Sequence, residues 1–159
     1  MQTLQIDGIK ARKLYPAASN EFKEMLHDSF GKDFFSQKIT DRVKIFEDAL
    51  AIVEASENLS TLLKYNGIDK DMLASVAHAK LSIITKALNE GWQPDWSDRN
   101  EYKYYPYFEF KAGFGFSGTD CAGWYTNTTV GSRLCFKSRE LADYAGTQFK
   151  ALYNDLFNL

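Results

Sequence analysis

A glycine run near residue 115 is the feature of this sequence that comes nearest to a known ligand-binding motif. Gly113, Gly115 and Gly118 have the spacing G-x-G-x-x-G, which binds dinucleotide phosphates when a helix begins directly after the glycines. Here the segment Thr-Asp-Cys-Ala-Gly follows, and it is not a helix start. A glycine loop of the kinase type would need a lysine-bearing strand and a catalytic loop elsewhere in the chain, and the sequence shows neither. The phenylalanines between the glycines therefore favour a strand that bends near another backbone.

Aromatic residues form a second set of candidates, because exposed rings can stack on bases or sugars for about 1–3 kcal/mol per base. Stacking surfaces normally accompany a basic groove, whereas nearby carboxylates offset the cations in this region. Most rings are therefore predicted to fill a core between a small sheet and helices. Two tryptophans in a polar loop are candidates for a binding surface. The full set is Trp92, Trp96, Trp124, Tyr102, Tyr104, Tyr105 and Tyr107.

Acidic residues in the same region provide an alternative site. Hard cations prefer oxygen ligands, and the nearby carboxylates are Asp95, Asp98, Glu101 and Asp120. Their spacing lacks the regular acidic ladder of a calcium loop, so turns or caps are the favoured roles. An enzyme with an unrecognised acidic site stays open as an alternative.

Histidines and cysteines give no further catalytic set. His27 and His78 fall in predicted helices away from the aromatic region. The two cysteines, Cys121 and Cys135, are too few for a disulfide framework or an all-cysteine zinc site. A nucleophilic thiol needs a nearby base and a lowered pKa, and the sequence indicates neither. We therefore predict no catalytic residue, no cofactor and no metal.

Bulk composition sets the broad class. The chain has 159 residues, 45% of them hydrophobic and 25% charged, which suits one globular domain. Its net charge of −2 gives no general attraction to nucleic acid or to anionic membranes. No segment approaches the roughly 20 apolar residues that span a bilayer, and the N-terminus lacks an apolar run of signal-peptide length. We expect a cytoplasmic protein that does not bind membranes.

Apolar residues recur at helical spacing through the first 90 residues. Asp7, Ser19 and Asp69 or Asp71 are predicted N-caps. Phe34 and Phe35 are expected in a connecting turn, as anchors into the core. The predicted helices cover residues 8–15, 20–30, 40–53, 57–65 and about 70–89.

Residues 91–137 predict a small sheet. A strand is expected over residues 102–111, where Pro106 requires an edge or a bulge. Further short strands are expected near residues 114–117, 123–126 and 134–136, with a turn at Asn127. Together they indicate an antiparallel meander of three to four strands.

Residues 138–159 predict one closing helix, capped by Ser138 and packed on the sheet. The fold class is therefore α+β, with several N-terminal helices before the sheet. One domain over residues 1–159 is expected. It contains a mainly helical part (1–90), an aromatic-rich β part (91–137) and the closing helix (138–159).

Three long segments resemble a group of uncharacterised proteins associated with bacteriophages, prophages and gut-bacterial hosts. The segments are EFKEMLHDSFGKDFFSQKITDRVKIFEDAL, ALNEGWQPDWSDRNEYKYYPYF and VGSRLCFKSRELADYAGTQF, which cover most of the chain. The resemblance implies an intracellular protein that is encoded on a mobile element and acts through other macromolecules. It implies no activity and no catalytic residues.

These observations lead to one functional expectation and two alternatives. We expect a non-enzymatic accessory or protein-binding domain of phage or prophage type. The first alternative is a single-stranded nucleic-acid-binding protein that uses exposed rings, and the second is the enzyme with an acidic site. Large rings beside a polar loop are typical of interface hot spots. The predicted binding residues are Trp92, Trp96, Arg99, Tyr102, Tyr104 and Trp124.

Overall fold

A computed structural model describes residues 6–53, 55–111, 115–124 and 132–157, with side chains for residues 6–53, 55–109 and 133–157. The chain comprises two compact units, Met1–Arg42 and Val43–Leu159. Helices make up most of the described backbone, so the protein is α-rich, with one antiparallel pair of strands. Among the described residues, no helix is both long enough and apolar enough to cross a bilayer. The expectation of one domain over the whole chain stays a prediction.

The first unit consists of short helices, and the sequence predicted the caps of the first two. The Asp7 carboxylate accepts the N–H of Lys10 at 2.8 Å, and the Ser19 hydroxyl accepts the N–H of Phe22 at 3.3 Å. Both caps are therefore confirmed. A 3₁₀ turn follows the first helix. The helices are α1 (Gly8–Leu14), α2 (Asn20–Phe30), α3 (Lys32–Ser36) and α4 (Ile39–Arg42).

Phe34 and Phe35 lie on α3, so the prediction of a connecting turn there is wrong. Both rings are half-buried within an aromatic cluster of the first unit. Phe35 stacks on Tyr15 with 4.2 Å between ring centroids, and Phe34 stacks on Phe30 at 5.2 Å. The Arg12 guanidinium lies 3.7 Å from the centroid of the Phe34 ring. Ring packing of this kind favours helical backbone at positions 34 and 35, because it sets both side chains against α1 and α2.

In the second unit, the long helix α7 packs against α5, α6, α8 and α9. The Asp69 carboxylate caps α7 by accepting the N–H of Met72 at 2.9 Å, as predicted. The sequence predicted one apolar stripe along α7, but nearly every residue from Val76 to Asn89 is buried, while Leu73 is 40% exposed. These elements are α5 (Phe46–Ile52), α6 (Glu57–Leu63), α7 (Lys70–Asn89), β1 (Lys103–Lys111), β2 (Gly115–Trp124), α8 (Arg139–Gln148) and α9 (Lys150–Phe157).

The sequence predicted one continuous helix over residues 40–53, but the structure has two helices there, α4 and α5. The Tyr144 hydroxyl donates to the carbonyl of Val43 at 2.7 Å, and the Gln148 amide donates to the carbonyl of Lys44 at 2.7 Å. In a continuous helix those carbonyls would accept N–H groups four residues later. The Asp48 carboxylate also accepts the N–H of Ile45, the residue before α5, at 3.0 Å, and so caps α5. Side chains thus replace the helical hydrogen bonds at the break.

The strands β1 and β2 are antiparallel, with Lys103 opposite Trp124. Gly115 and Gly118 both lie on β2, so this part of the glycine run forms a strand, as predicted, while Gly113 falls outside the described residues. The separate short strands expected in this stretch are one strand, which pairs with β1 on both sides of a single irregularity.

Pro106 lies in regular pairing opposite Cys121, and the irregularity of register falls between Phe108 and Phe110. Tyr104 directs its own N–H and C=O away from β2, toward Phe136. Residues two apart in a strand direct these groups to the same edge. The nitrogen of Pro106, which carries no hydrogen, therefore faces the edge of β1 that is away from β2. The predicted edge position is confirmed, and the bulge lies further along the strand.

The strand predicted over residues 134–136 is instead a 3₁₀ turn, Ser132–Leu134, followed by a single bridge. At this bridge the N–H of Tyr104 donates to the carbonyl of Phe136 at 3.0 Å, and the N–H of Phe136 donates back at 2.7 Å. The described residues therefore form two strands and one bridge. The expected turn at Asn127 lies outside them, and a meander of three or four strands stays a prediction.

The closing segment consists of two helices rather than one. The Ser138 hydroxyl caps α8 by accepting the N–H of Leu141 at 3.4 Å, as predicted. The helix ends at Phe149, whose backbone leaves the helical region at φ −108° and ψ 25° and whose side chain is 5% exposed. α8 packs on both strands, whereas α9 packs on α7. The break lets each helix cover a different element.

Candidate functional site

The predicted binding residues lie in and beside the tryptophan loop, residues 92–101, which joins α7 to β1. Trp92 and Trp96 are half-buried and Arg99 is exposed. The Tyr102 side chain is 47% exposed, and its ring stacks on the half-buried Tyr104 with 6.1 Å between centroids and 22° between planes. The loop thus presents the Arg99 guanidinium to the surface, and the exposed Tyr102 ring lies directly after the loop.

Trp124 belongs to the same end of the sheet. Its backbone lies opposite Lys103, at the start of β1, and its side chain is outside the described set. The register therefore brings the backbone of Trp124 next to the loop.

Lys103 is the central residue of this region. The sequence pattern indicated only that it is one of several cations offset by nearby carboxylates. Its side chain is 0% exposed. The ammonium donates to the carbonyls of Asp98 at 3.0 Å and Glu101 at 2.9 Å, lies 3.7 Å from the Glu101 carboxylate, and sits 5.7 Å from the Trp96 ring centroid. A buried ammonium is tolerated when acceptors surround it in this way. Lys103 therefore holds the loop from inside.

Strand alternation is the signal that could have located Lys103. Residues two apart on a strand share a face, and Lys103 and Tyr105 are both buried. The aromatic pattern made Tyr105 a core candidate, so the same face should have included Lys103.

Carboxylates of the loop bind its own backbone. The Glu101 carboxylate accepts the N–H of Asp95 at 3.1 and 3.2 Å. The Asp95 carboxylate accepts the Ser97 hydroxyl at 2.6 Å and the Ser97 N–H at 2.8 Å, and these hydrogen bonds, the hydroxyl's first, lower the pKa of Asp95. The Asp98 carboxylate accepts the N–H of Asn100 at 2.8 Å. These acids act as turn formers, the role favoured by their spacing.

The acidic-site alternative gains no support from this arrangement. Among the described side chains, no group of histidine, cysteine, aspartate or glutamate residues is placed to hold a metal ion. The side chain of Asp120 lies outside this set. The remaining three carboxylates, Asp95, Asp98 and Glu101, already accept hydrogen bonds from the loop.

Both ends of the tryptophan loop are fixed by the short segment around Phe136. The buried Asn89 amide donates to the carbonyl of Cys135 at 2.9 Å and accepts the N–H of Lys137 at 3.1 Å. On its opposite edge, the segment bonds to Tyr104 through Phe136. The Asn89 side chain therefore makes the pair of hydrogen bonds that a neighbouring strand would make. It supplies a donor to the carbonyl of Cys135 and an acceptor to the N–H of Lys137.

The chain reverses sharply where α7 ends and the loop begins. Glu90 is left-handed, with φ 49° and ψ 43°, and Gly91 follows with φ 91°. A left-handed residue other than glycine costs roughly 1–2 kcal/mol. The N–H of Trp92 then donates to the carbonyl of Asn89 at 3.0 Å. These backbone angles and this hydrogen bond make a tight turn between α7 and the loop.

Cys135 is an inert thiol. It forms no disulfide and is 2% exposed, and burial raises the pKa of its thiol to about 11. At neutral pH almost none of it is thiolate, which is the nucleophilic form. The prediction that Cys135 is an ordinary buried thiol is confirmed. The side chain of Cys121 lies outside the described residues.

The exposed charge of the loop is mainly negative. Lys103 is buried, so Arg99 is the exposed cation of the described loop, beside the exposed Asp95 and Asp98. Single-stranded nucleic acid needs a positive groove that follows its backbone. The charge distribution therefore disfavours the nucleic-acid alternative.

Comparison of the chain with protein-family models, with curated proteins and with solved structures found no match. The resemblance to phage-associated proteins stays a prediction.

Proposed function

We propose that this chain is a non-enzymatic accessory protein of phage or prophage type that binds another protein in the cytoplasm. Its proposed binding surface consists of the tryptophan loop with the adjoining ends of the two strands. One observation carries the proposal, namely an exposed arginine on a loop that a buried lysine holds in place, next to an exposed tyrosine that stacks on a half-buried one. The surface residues are Trp92, Trp96, Arg99, Tyr102, Tyr104 and Trp124.

Pre-organisation supports binding at this surface. Ordering a mobile loop costs binding free energy for each side chain that becomes fixed. Here the Lys103 ammonium and the Glu101 carboxylate already hold the loop backbone through hydrogen bonds of 2.9–3.2 Å. A partner would therefore meet rings whose positions are largely set before contact.

Residue types favour a protein partner. Tyrosine, tryptophan and arginine are the residues most enriched among energetic hot spots of protein interfaces. The exposed Asp95 and Asp98 would repel the phosphates of a nucleic acid but can pair with cations on a protein. The resemblance to phage and prophage proteins adds the context of an accessory role in a bacterial cell.

Affinity capture from prophage-carrying cells, followed by mass spectrometry, tests the proposal. The bait is the full chain, and the test variant combines Arg99→Ala with Tyr102→Ala. A hot-spot residue contributes about 2 kcal/mol or more, so we expect the double variant to bind the captured partner at least about 30-fold more weakly. Tyr107→Ala is the matched control, because Tyr107 is 51% exposed on β1 but lies outside the proposed surface.

Three outcomes would contradict the proposal. The captured partner could bind the double variant as tightly as the wild type, or Tyr107→Ala could weaken binding equally. Capture that disappears after nuclease treatment and weakens steeply with salt would instead indicate nucleic-acid binding.

A further inference from the structure

A cavity lined by residues other than those of the tryptophan loop has the features of a ligand site. It lies between α6, α7, α9 and the turn Ser132–Leu134, and it has a volume of about 530 Å³. Pockets that hold small molecules typically measure about 300–1,000 Å³. Most of its wall is apolar and is formed by Leu59, Leu62, Ala74, Ala79, Ile83 and Leu156.

Polar groups follow one face of α7 along the cavity. Ser75, His78, Ser82 and Lys86 all line it, at the three- and four-residue intervals that place side chains on the same side of a helix. A rise of about 1.5 Å per residue separates Ser75 from Lys86 by about 16 Å along the axis. The cavity is therefore elongated, with Lys86 toward the C-terminal end of α7.

Arg133 reaches the cavity from the neighbouring 3₁₀ turn and lies at the same end as Lys86. The turn is tied to the end of α7 by the hydrogen bond from the Asn89 amide to the carbonyl of Cys135, and Asn89 is three residues beyond Lys86. Both Lys86 and Arg133 line the cavity and are exposed. Neither of them forms an ion pair within the part of the chain that the structure describes, and none of the described lining residues is acidic.

Ser82 supplies an independent indication of a missing partner. Its side chain lines the cavity and is 9% exposed, and its hydroxyl has no hydrogen-bond partner among the described residues. Leaving a buried hydroxyl without a partner is costly. Ser82 also precedes Lys86 by one helical turn, so both can reach the same bound group.

We propose that this cavity binds a small organic anion with an apolar body, such as a long-chain carboxylate or phosphate ester. The anionic group lies between Lys86 and Arg133 and accepts a hydrogen bond from the Ser82 hydroxyl. The apolar body extends along α7 between Leu62 and Ile83. Cations and a donor at one end with apolar walls beyond them match such a ligand, because each part of it meets a complementary surface. This site is separate from the proposed protein-binding surface.

Isothermal titration of the full chain with decanoate, decyl phosphate and decanol tests the proposal. We expect at least one anion to bind and decanol to bind at least tenfold more weakly. Losing both cations in Lys86→Met/Arg133→Met should weaken binding of the anion at least tenfold, since charge-assisted hydrogen bonds each contribute about a factor of ten or more. Ser82→Ala should weaken it about threefold to tenfold.

Two control variants make the test specific. Lys150→Met removes an exposed lysine that does not line the cavity, and it should bind the anion like the wild type. Ala74→Phe fills the apolar part and should abolish binding of the anion even though both cations remain. Urea unfolding of each variant checks that the fold is intact.

Several results would overturn the proposal. One is the absence of any heat of binding for both anions at millimolar concentration, and another is binding of decanol as tight as that of the anions. Equal affinity of the wild type and the double methionine variant, with both folded, would also exclude Lys86 and Arg133 as the anion-binding pair.

Discussion

Replacing the buried lysine with methionine tests the central claim that Lys103 holds the tryptophan loop. Lys103→Met keeps the apolar stem and removes the ammonium, which donates to the carbonyls of Asp98 and Glu101. Each hydrogen bond from a charged group is worth about 1.5–3 kcal/mol. Against this loss stands the relief of a desolvated ammonium, which costs several kcal/mol. The balance decides whether the loop gains or loses stability.

We expect the variant to be less stable by about 2 kcal/mol, because two loop carbonyls lose their donor at about 1–3 kcal/mol each. The two losses together amount to about 2–6 kcal/mol. We expect the lower end of this range, because the Glu101 side chain is 24% exposed and water can reach the loop. Urea unfolding measures the free energy difference. Lys137→Met is the control, because Lys137 pairs with Glu90 on the surface, with side chains 36% and 44% exposed. It should cost less than about 1 kcal/mol.

Hydrogen exchange locates the effect. The N–H of Asp95 bonds to the Glu101 carboxylate, which pairs with Lys103, so this amide should exchange faster in Lys103→Met. The N–H of Met72 bonds to Asp69 at the start of α7 and serves as the reference. Its exchange rate should rise no more than the overall loss of stability explains. A variant as stable as the wild type, with unchanged exchange at Asp95, would refute the role assigned to Lys103.

Three further predictions concern groups around the same framework. Asn89→Ala should lower the free energy of unfolding by about 2–4 kcal/mol in urea titration, because the carbonyl of Cys135 loses the donor, and the N–H of Lys137 the acceptor, that the Asn89 side chain supplies; a loss below 1 kcal/mol would contradict this. The Cys135 thiol keeps its proton when folded, with a pKa of about 11, and loses it near pH 8.5 when unfolded. Between these values stability should therefore fall by about 1.4 kcal/mol per pH unit relative to Cys135→Ala, whose unfolding curves measured from pH 8 to 10.5 lack this slope. Tyr153→Phe should leave thermal stability unchanged or raise it by about 1 kcal/mol, because the buried hydroxyl has no hydrogen-bond partner among the described residues; a marked loss would show a partner for it.

Much of the helical structure could be predicted because its signals are local. Asp7, Ser19, Asp69 and Ser138 each accept an N–H three residues further along the chain. Such a cap depends on the residue type and on its immediate neighbours. The starts of α1, α2, α7 and α8 are therefore written in short stretches of sequence.

The candidate site was predicted in part. The sequence placed two tryptophans in a polar loop, and the structure finds Trp92 and Trp96 half-buried there. It also favoured turn-forming roles for Asp95 and Asp98, which the loop hydrogen bonds confirm. The burial of Lys103 was missed, because a lysine among aromatic residues normally extends its charge to water.

What the tertiary structure decided depends on residues far apart in the chain. The break before α5 needs Tyr144, 101 residues beyond Val43, and the fixed ends of the loop need Asn89 and Cys135, 46 residues apart. No local pattern encodes such partners, since a backbone carbonyl accepts whichever donor the fold brings to it. By itself, the sequence determined the helix caps, the long helix α7, the strand at Pro106 and the aromatic loop. Tertiary contacts determined where helices break, which lysine is buried and how the loop is held.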